Sequence, residues 1–365
     1  MVNCSHRLEL CSFLLGLLNF CRSSFHVLFT FFSVRLIWTL YFQITTLFFT
    51  NIHPLVAGLG TMFASTIFLS LVAAAAAACD GTTPKNNTGA VSPGAKAQCA
   101  LQFDGRIPKT FKAADFDSTS SPFNTANVFG KGLKFSEIVQ LPGGNSLFDV
   151  NSTQPFEVTI NDKSIFAPSE TNVQVGFRRA EMLPLSNDGK DASTQGIKTL
   201  HFSLQKDAQR PLNLSHEYQL VFLESADFST NQVVLKTGTI LGQNTADPDT
   251  LQLFGNVNSS PVPELFKTKF TAGVFHNFAI KLDFTKNTTE VFYSQGNSAL
   301  KSTGAAVTNN IAGQGQYHFG MLKKPVNGGS DITKSGDQPT GINEGIIYGG
   351  IFQEDSSAGC ISLSP

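Results

Sequence analysis

Tryptophan is almost missing from this chain. The single one, Trp38, leaves residues 99–365 with none, so any aromatic face there must come from Phe or Tyr. Acids are missing from the beginning, where residues 1–61 carry only Glu9. No cluster of Lys and Arg follows residue 99 and the net charge is −1, which argues against nucleic acid as a partner and favours a neutral ligand. The His residues are scattered, with none of the close Cys/His or carboxylate spacing of tight metal sites. No stretch of roughly 15 residues carries a helical apolar stripe and no period of about 40 residues recurs, which excludes helical bundles and propellers.

What is present changes sharply along the chain. Residues 1–61 hold long apolar runs, Phe25 to Val34 and Ile37 to Phe49, interrupted by Arg35 and a few polar residues. A second apolar run starts at the internal Met62 and ends in six alanines, Ala73 to Ala78. An apolar core followed by small residues is a secretory signal with its cleavage site. Residues 62–78 are therefore assigned as the signal peptide, with translation starting at Met62 and residues 1–61 a gene-model artefact. The competing reading is a membrane anchor near residues 25–50, because roughly 20 apolar residues span a bilayer. Residues 79–98, rich in Gly, Pro, Ala, Thr and Asn, form a flexible linker.

Secretion implies an oxidising compartment. Cys99 and Cys360 bracket the remaining domain, 99–365, and a bridge between them closes a loop long enough for about 4 to 5 kcal/mol in the chain-entropy picture. Cys79, at the cleavage site, is lost or left odd. Five Asn-x-Ser/Thr sequons follow the signal segment, at Asn86, Asn151, Asn213, Asn258 and Asn287, and mark surface loops for glycosylation.

Within 99–365, short β-branched and aromatic runs alternate with Asn, Gly, Asp and Pro clusters. Expected strands are Phe156 to Ile160, Asn172 to Met182, Thr199 to Leu204, Glu217 to Leu223, Gln232 to Leu241, Leu251 to Asn256, His276 to Phe284, Thr289 to Ser294, Tyr317 to Lys323 and Glu344 to Gln353. The fold class is all-β: a two-sheet antiparallel β-sandwich of the concanavalin-like jelly-roll type. One sheet of such a sandwich is concave, and alternate residues of its strands face the groove.

That alternation yields the candidate residues. Arg179 and Glu181 share one strand face, with Ala180 and Met182 on the other; an Arg beside a carboxylate holds it ionised. The alternative is an ordinary solvated ion pair. Along His216 to Glu224, parity sets Glu217, Gln219, Val221 and Leu223 against the more apolar His216, Tyr218, Leu220, Phe222 and Glu224, so Glu217 and Gln219 face the groove and Glu224 marks the strand end. His318 is in phase with Gly320, while Tyr317, Phe319 and Met321 fall on the apolar face. His318 either positions a water or sugar hydroxyl or is satisfied within the sheet; His276 opens a strand after a turn. Glycoside hydrolysis needs a proton donor and a nucleophile or base, and Glu181 with Glu217 is the carboxylate pair.

The ordered motifs CALQFDGR (99–106), DSTSSPFN (117–124), GFRRAE (176–181), SHEYQ (215–219), LKTGTILG (235–242), GQYHFG (315–320) and YGGIFQED (348–355) make this domain resemble fungal glycoside hydrolase family 131 over nearly its whole length. The resemblance implies a β-jelly roll acting on β-glucans through β-1,3, β-1,6 or β-1,4 linkages, with a site of two glutamates, an arginine and a histidine. Carried over by motif, these are Arg179, Glu181, the strand of Glu217, and His318, with His276 in reserve. Gln219, Lys236, His276 and Tyr317 are the candidate substrate-binding residues. Phe275 stands where the family pattern leads one to expect Trp. The implied protein is a secreted monomer without cofactor, with room for the structural calcium ion common in jelly rolls. Two rivals share the sandwich: a non-catalytic lectin-like glucan-binding module, and a polysaccharide lyase, whose groove should carry several positive charges where only Arg179, Lys236 and Lys324 are found. N-terminal sequencing of the cellular protein is expected to recover no residue of 1–61; a peptide from that stretch contradicts the Met62 start.

Overall fold

The structure, a computed structural model, describes residues 99–125 and 129–365. The apolar extension, the signal segment, the linker, Cys79 and Asn86 lie outside the described residues. Among the described residues, no helix is long and apolar enough to cross a membrane.

Antiparallel strands dominate. One sheet has nine strands. Its main path runs β14 (Lys301–Ser302), β13 (Thr288–Gln295), β12 (His276–Asp283), β7 (Ile197–Lys206), β17 (Asn343–Asp355), β5 (Phe156–Asn161) and β3 (Val139–Gln140); β1 (Leu101–Asp104) joins β17 and β15 (Val307–Thr308) joins β13. The other sheet has six strands, in the order β11 (Glu264–Lys269), β10 (Thr250–Phe254), β9 (Asn231–Gly238), β8 (Glu217–Ser225), β16 (Gly315–Lys323) and β6 (Arg178–Met182). A small ladder of β2 (Ile107–Pro108) and β4 (Thr153–Gln154) stands apart.

Period-two alternation builds the core between the sheets. Leu200, Phe202 and Leu204 of β7 and Phe278, Ile280 and Leu282 of β12 point inward from one side. They meet Val233 and Leu235 of β9 and Tyr317, Phe319 and Met321 of β16, with the rings of Phe202 and Phe319 6.2 Å apart. On the outer face of the nine-stranded sheet, Leu147, Phe148, Ala279, Phe292, Leu300 and Phe352 form a smaller cluster. The expected Cys99–Cys360 disulfide is present and joins residues 261 apart. Asn151, Asn213 and Asn258 are exposed, as glycan acceptors require, and Asn287 is half-buried.

Each expected segment contains a strand, but two differences matter. The strand expected from Asn172 begins only at Arg178. A side chain at Gly176 would meet the Ile332 carbonyl oxygen at 2.1 Å, and the Gly176 amide donates to Thr333 O at 2.8 Å; the segment ahead of β6 is thus docked on a loop and not on the sheet. The second difference lies in β8, where the pairing slips between Gln219 and Val221 while β16 slips between Phe319 and Leu322. A bulge adds one residue to a strand and reverses the parity beyond it. Glu217 and Gln219 face outward before the bulge, Tyr218, Leu220, Val221 and Leu223 face the core, and Phe222 packs with Val234 and Phe254 outside it. Strict alternation had turned Phe222 and Glu224 toward the core.

The bulge is pinned from the opposite sheet. Fully buried Tyr348 of β17 crosses the core and lays its hydroxyl between Leu220 O, at 2.9 Å, and Gly320 O, at 2.7 Å. Gly320 lets β16 lie close against β6 at this point, because a Cβ there would lie 2.1 Å from Ala180 O. Tyr348→Phe keeps the ring but strips both carbonyls of their donor, and a buried acceptor left unpaired costs about 1–3 kcal/mol. Urea unfolding is expected to show that loss; an unchanged midpoint means the bulge holds without the hydroxyl.

Candidate active site

On the outer face of the six-stranded sheet, three neighbouring strands place four polar groups in a line. Arg179 of β6 grips Glu181, two residues on, with Nε donating to Oε1 and Nη2 to Oε2, each at 2.7 Å. Glu181 is fully buried, and Oε2 also accepts from His318 Nδ1 of β16 at 2.8 Å. The His318 ring stacks on Phe222 of β8, with centroids 4.3 Å apart. Its far nitrogen, Nε2, faces Glu224 Oε2 at 3.5 Å and makes no hydrogen bond within the protein. Glu224 is the exposed end of the line, with 27% of its side chain open to solvent.

The electrostatics follow from these partners. Burial opposes ionisation of Glu181, but the Arg179 charge and the His318 hydrogen bond outweigh it and hold the carboxyl below its usual range. For His318, burial disfavours the cation, yet the hydrogen bond to Glu181 and the nearby Glu224 carboxyl raise its pKa above the ordinary imidazole value. Each partner therefore favours the charged form of the other. The imidazole ring thus stands between two carboxyl groups, 2.8 Å from Glu181 Oε2 and 3.5 Å from Glu224 Oε2.

A second group shares the face. Glu217 Oε1 pairs with Lys236 Nζ at 3.0 Å and Lys324 Nζ at 2.7 Å, and Oε2 accepts from the Leu241 amide at 2.8 Å. Burial works against the anion, but the two lysines lower the Glu217 pKa. Gln219 turns its Nε2 toward Glu217 at 3.5 Å and accepts from Asn231 Nδ2 at 3.0 Å. In the ladder, Gln219 pairs with Lys236 and Asn231 with Glu224. The Gln219–Asn231 hydrogen bond thus crosses the register and ties the Glu217 group to the Glu224 end of the strand.

Of the residues expected from sequence, Arg179, Glu181, Glu217, His318, Gln219 and Lys236 lie on this face. Two substrate-binding expectations do not. Tyr317 points into the core, 1% exposed, with its hydroxyl bonded to Ser193 O and Gln353 Nε2, because it shares the parity of Phe319 and Met321. His276 is buried in the nine-stranded sheet, with Nδ1 against the Tyr293 hydroxyl at 2.7 Å and Nε2 against Thr271 O at 3.2 Å. Burial lowers its pKa, and it serves the sheet as a neutral ring. Glu224 is the residue that sequence reasoning missed; its only signal was a second carboxylate on the strand of Glu217. Among the described residues, no three His, Cys, Asp or Glu side chains gather as a metal site would require.

Comparison with known proteins fits this geometry. Two solved structures share the fold. The catalytic domain of a GH131 β-glucanase from Podospora anserina is 23% identical, with a TM-score of 0.56, covering 73% of this chain and 98% of its own. The catalytic domain of a glycoside hydrolase family 131 protein from Coprinopsis cinerea is 21% identical, with a TM-score of 0.54 and the same coverage, 73% and 98%. No curated protein matches the sequence. The family profile described as the glycoside hydrolase 131 catalytic N-terminal domain matches residues 101–359. A polysaccharide is thus the substrate class, and the chain, with its groove of paired carboxylates on a two-sheet sandwich, belongs to glycoside hydrolase family 131.

Proposed function

We propose that this chain is a secreted, monomeric β-glucanase that hydrolyses β-1,3, β-1,6 or β-1,4 linkages by carboxylate acid/base catalysis in the groove of the six-stranded sheet. The observation that carries the reading is the line Glu181–His318–Glu224, in which a histidine bonded to a buried anion faces a solvent-reachable carboxyl. Glu224 handles the proton at the glycosidic oxygen. His318 holds that proton in place, Glu181 stabilises the imidazolium, and Arg179 keeps Glu181 ionised. Glu217, Gln219 and Lys236 supply donors and acceptors for sugar hydroxyls along the same groove. The bridge, the exposed sequons and the Met62 signal support secretion.

Product analysis on β-1,3-, β-1,6- and β-1,4-glucans tests this. Glu224→Gln and Glu181→Gln are each expected to lower kcat by about 10²–10⁴-fold, the range for loss of a proton-transfer group, while Glu217→Gln chiefly raises KM. Equal product from wild type and all three variants overturns the assignment, and unsaturated uronate products indicate a lyase.

The pH dependence has a defined sign. The lowered Glu181 pKa means its anion persists into acid and is lost only as pH falls through that lowered value. The raised His318 pKa means its charge survives above the ordinary imidazole range and is lost as pH rises through the raised value. A profile of kcat/KM wider on both sides than a free Glu and a free His would give, about 4.3 to 6.5, is expected. One confined to that interval contradicts the arrangement.

A further inference from the structure

Just past Glu224, β8 ends and the chain turns back into β9 through a hairpin that departs from ordinary turn chemistry. Its tip residue is Phe228, 70% exposed, with its backbone in the left-handed region at φ 60°. A bulky non-glycine residue there is strained, and such strain persists where surrounding contacts impose it. Here they do. The Phe228 amide donates to Ser225 O at 2.8 Å, and the Asp227 carboxylate accepts from Ser225 Oγ at 2.6 Å, Ser229 Oγ at 2.7 Å and the Ser229 amide at 3.1 Å. Those hydrogen bonds hold the Asp227 pKa down to about 2, so the turn stays locked across the pH range of a working enzyme. The local sequence thus spends its polar groups on displaying an aromatic ring in water.

The hairpin that carries Phe228 also walls a cavity of about 490 Å³, within the range of small-molecule sites, about 300–1,000 Å³. Its walls include Asp227 and Ser229, the residues flanking Phe228, together with Thr230, Asn256, Asn258 and Asn310. They are hydroxyls and amides that also bond within the protein, Thr230 Oγ1 donating to Asn256 Oδ1 and Asn256 Nδ2 to Asn310 O, each at 2.8 Å, and Asp227 is satisfied by its own turn. Gln232, fully buried, donates to the wall residue Ala312 through Nε2, while its Oε1 has no hydrogen-bond partner within the protein. An exposed aromatic face beside neutral hydrogen-bonding groups suits a sugar, which presents apolar C–H faces and a rim of hydroxyls.

We propose that the β8–β9 hairpin and this cavity form a distal hexose subsite, where Phe228 stacks against a glucosyl unit whose hydroxyls bond to Thr230, Asn256, Asn258 and Asn310. This rests on the β-glucan reading above and adds the place where the chain is held beyond the cleavage line. The hairpin follows directly from the strand that carries Glu224, and in this proposal one glucan chain reaches both places. Asn258 Nδ2 donates to Ser229 O at 3.1 Å, so an N-glycan on this residue would offer the same hexose chemistry from a second source.

The test compares wild type with Phe228→Ala, Phe228→Gly and Phe228→Trp, all made without N-glycans. Retention on a soluble β-glucan is measured by affinity electrophoresis, and KM and kcat are measured on that glucan and on a short oligosaccharide. The Ala and Gly variants are expected to bind the long glucan about 5–10-fold more weakly and to raise its KM by the same factor, with kcat and the short substrate unaffected; Trp restores binding. Phe228→Gly also relieves the backbone, so it should melt no lower than wild type, which separates loss of binding from loss of fold. A glycan on Asn258 should weaken glucan retention by competing for the cavity, and undiminished retention overturns the subsite. So do Ala and Gly variants retained as well as a glucan-binding wild type. A wild type that neither binds nor cleaves any β-glucan instead overturns the parent reading.

Discussion

One hydroxyl, that of Tyr348, decides which carboxylates this groove contains. It sits in the middle of the core, where a free polar group is costly, and it finds two carbonyls released by the matched slips of β8 and β16. Without a donor from the opposite sheet those carbonyls would be stranded in an apolar interior. With one, the bulge is a stable feature, and everything beyond it on β8 is rotated by half a strand period. Phe222 becomes the platform under His318 and Glu224 becomes its second neighbour. The core and the site are therefore coupled through backbone geometry and not through any direct contact.

The remainder of the site is an exercise in burying charge. Glu181 is fully buried, and an isolated carboxylate in that position would take up a proton. Its ionisation depends on a bidentate arginine and a histidine, and removing one partner of such a buried pair generally costs about 3–5 kcal/mol. Glu217 solves the same problem with two lysines and a backbone amide. Glu224 differs because part of its side chain is open to solvent, so it is the one carboxyl of the line that is not enclosed by the protein.

Much of this was legible from residue types and spacing. Two-residue periodicity placed Arg179, Glu181 and His318 correctly because β6 and the start of β16 are regular, and the flanking cysteines showed where the domain closes. Parity failed at Glu224 because a bulge leaves no local mark in the run from Glu217 to Ser225; its cause, Tyr348, lies far away in sequence. His276 was out of reach for another reason: alternation identifies a strand's faces but not which sheet the strand joins. Strand β11 went unnoticed because it is an edge, largely exposed, where apolar alternation fades. Its six residues, Glu-Leu-Phe-Lys-Thr-Lys, read as a loop until their pairing with β10 is seen.

The bond between Cys99 and Cys360 also makes the domain a covalent ring. It joins the chain just before β1 to the chain just after β17, and those two strands already pair. The two ends are thus fastened twice, by sulfur and by a ladder. A protease that cuts one exposed hairpin in the digestive mixtures where polysaccharide-degrading enzymes work opens the ring without making two molecules, since each piece keeps its place in the sheets and its link to the other. The cut becomes visible as fragments only after reduction. In such a topology no residue of the sandwich is a true terminus, and the strand order has a natural closure between β17 and β1 at which a new beginning of the chain would disturb nothing else.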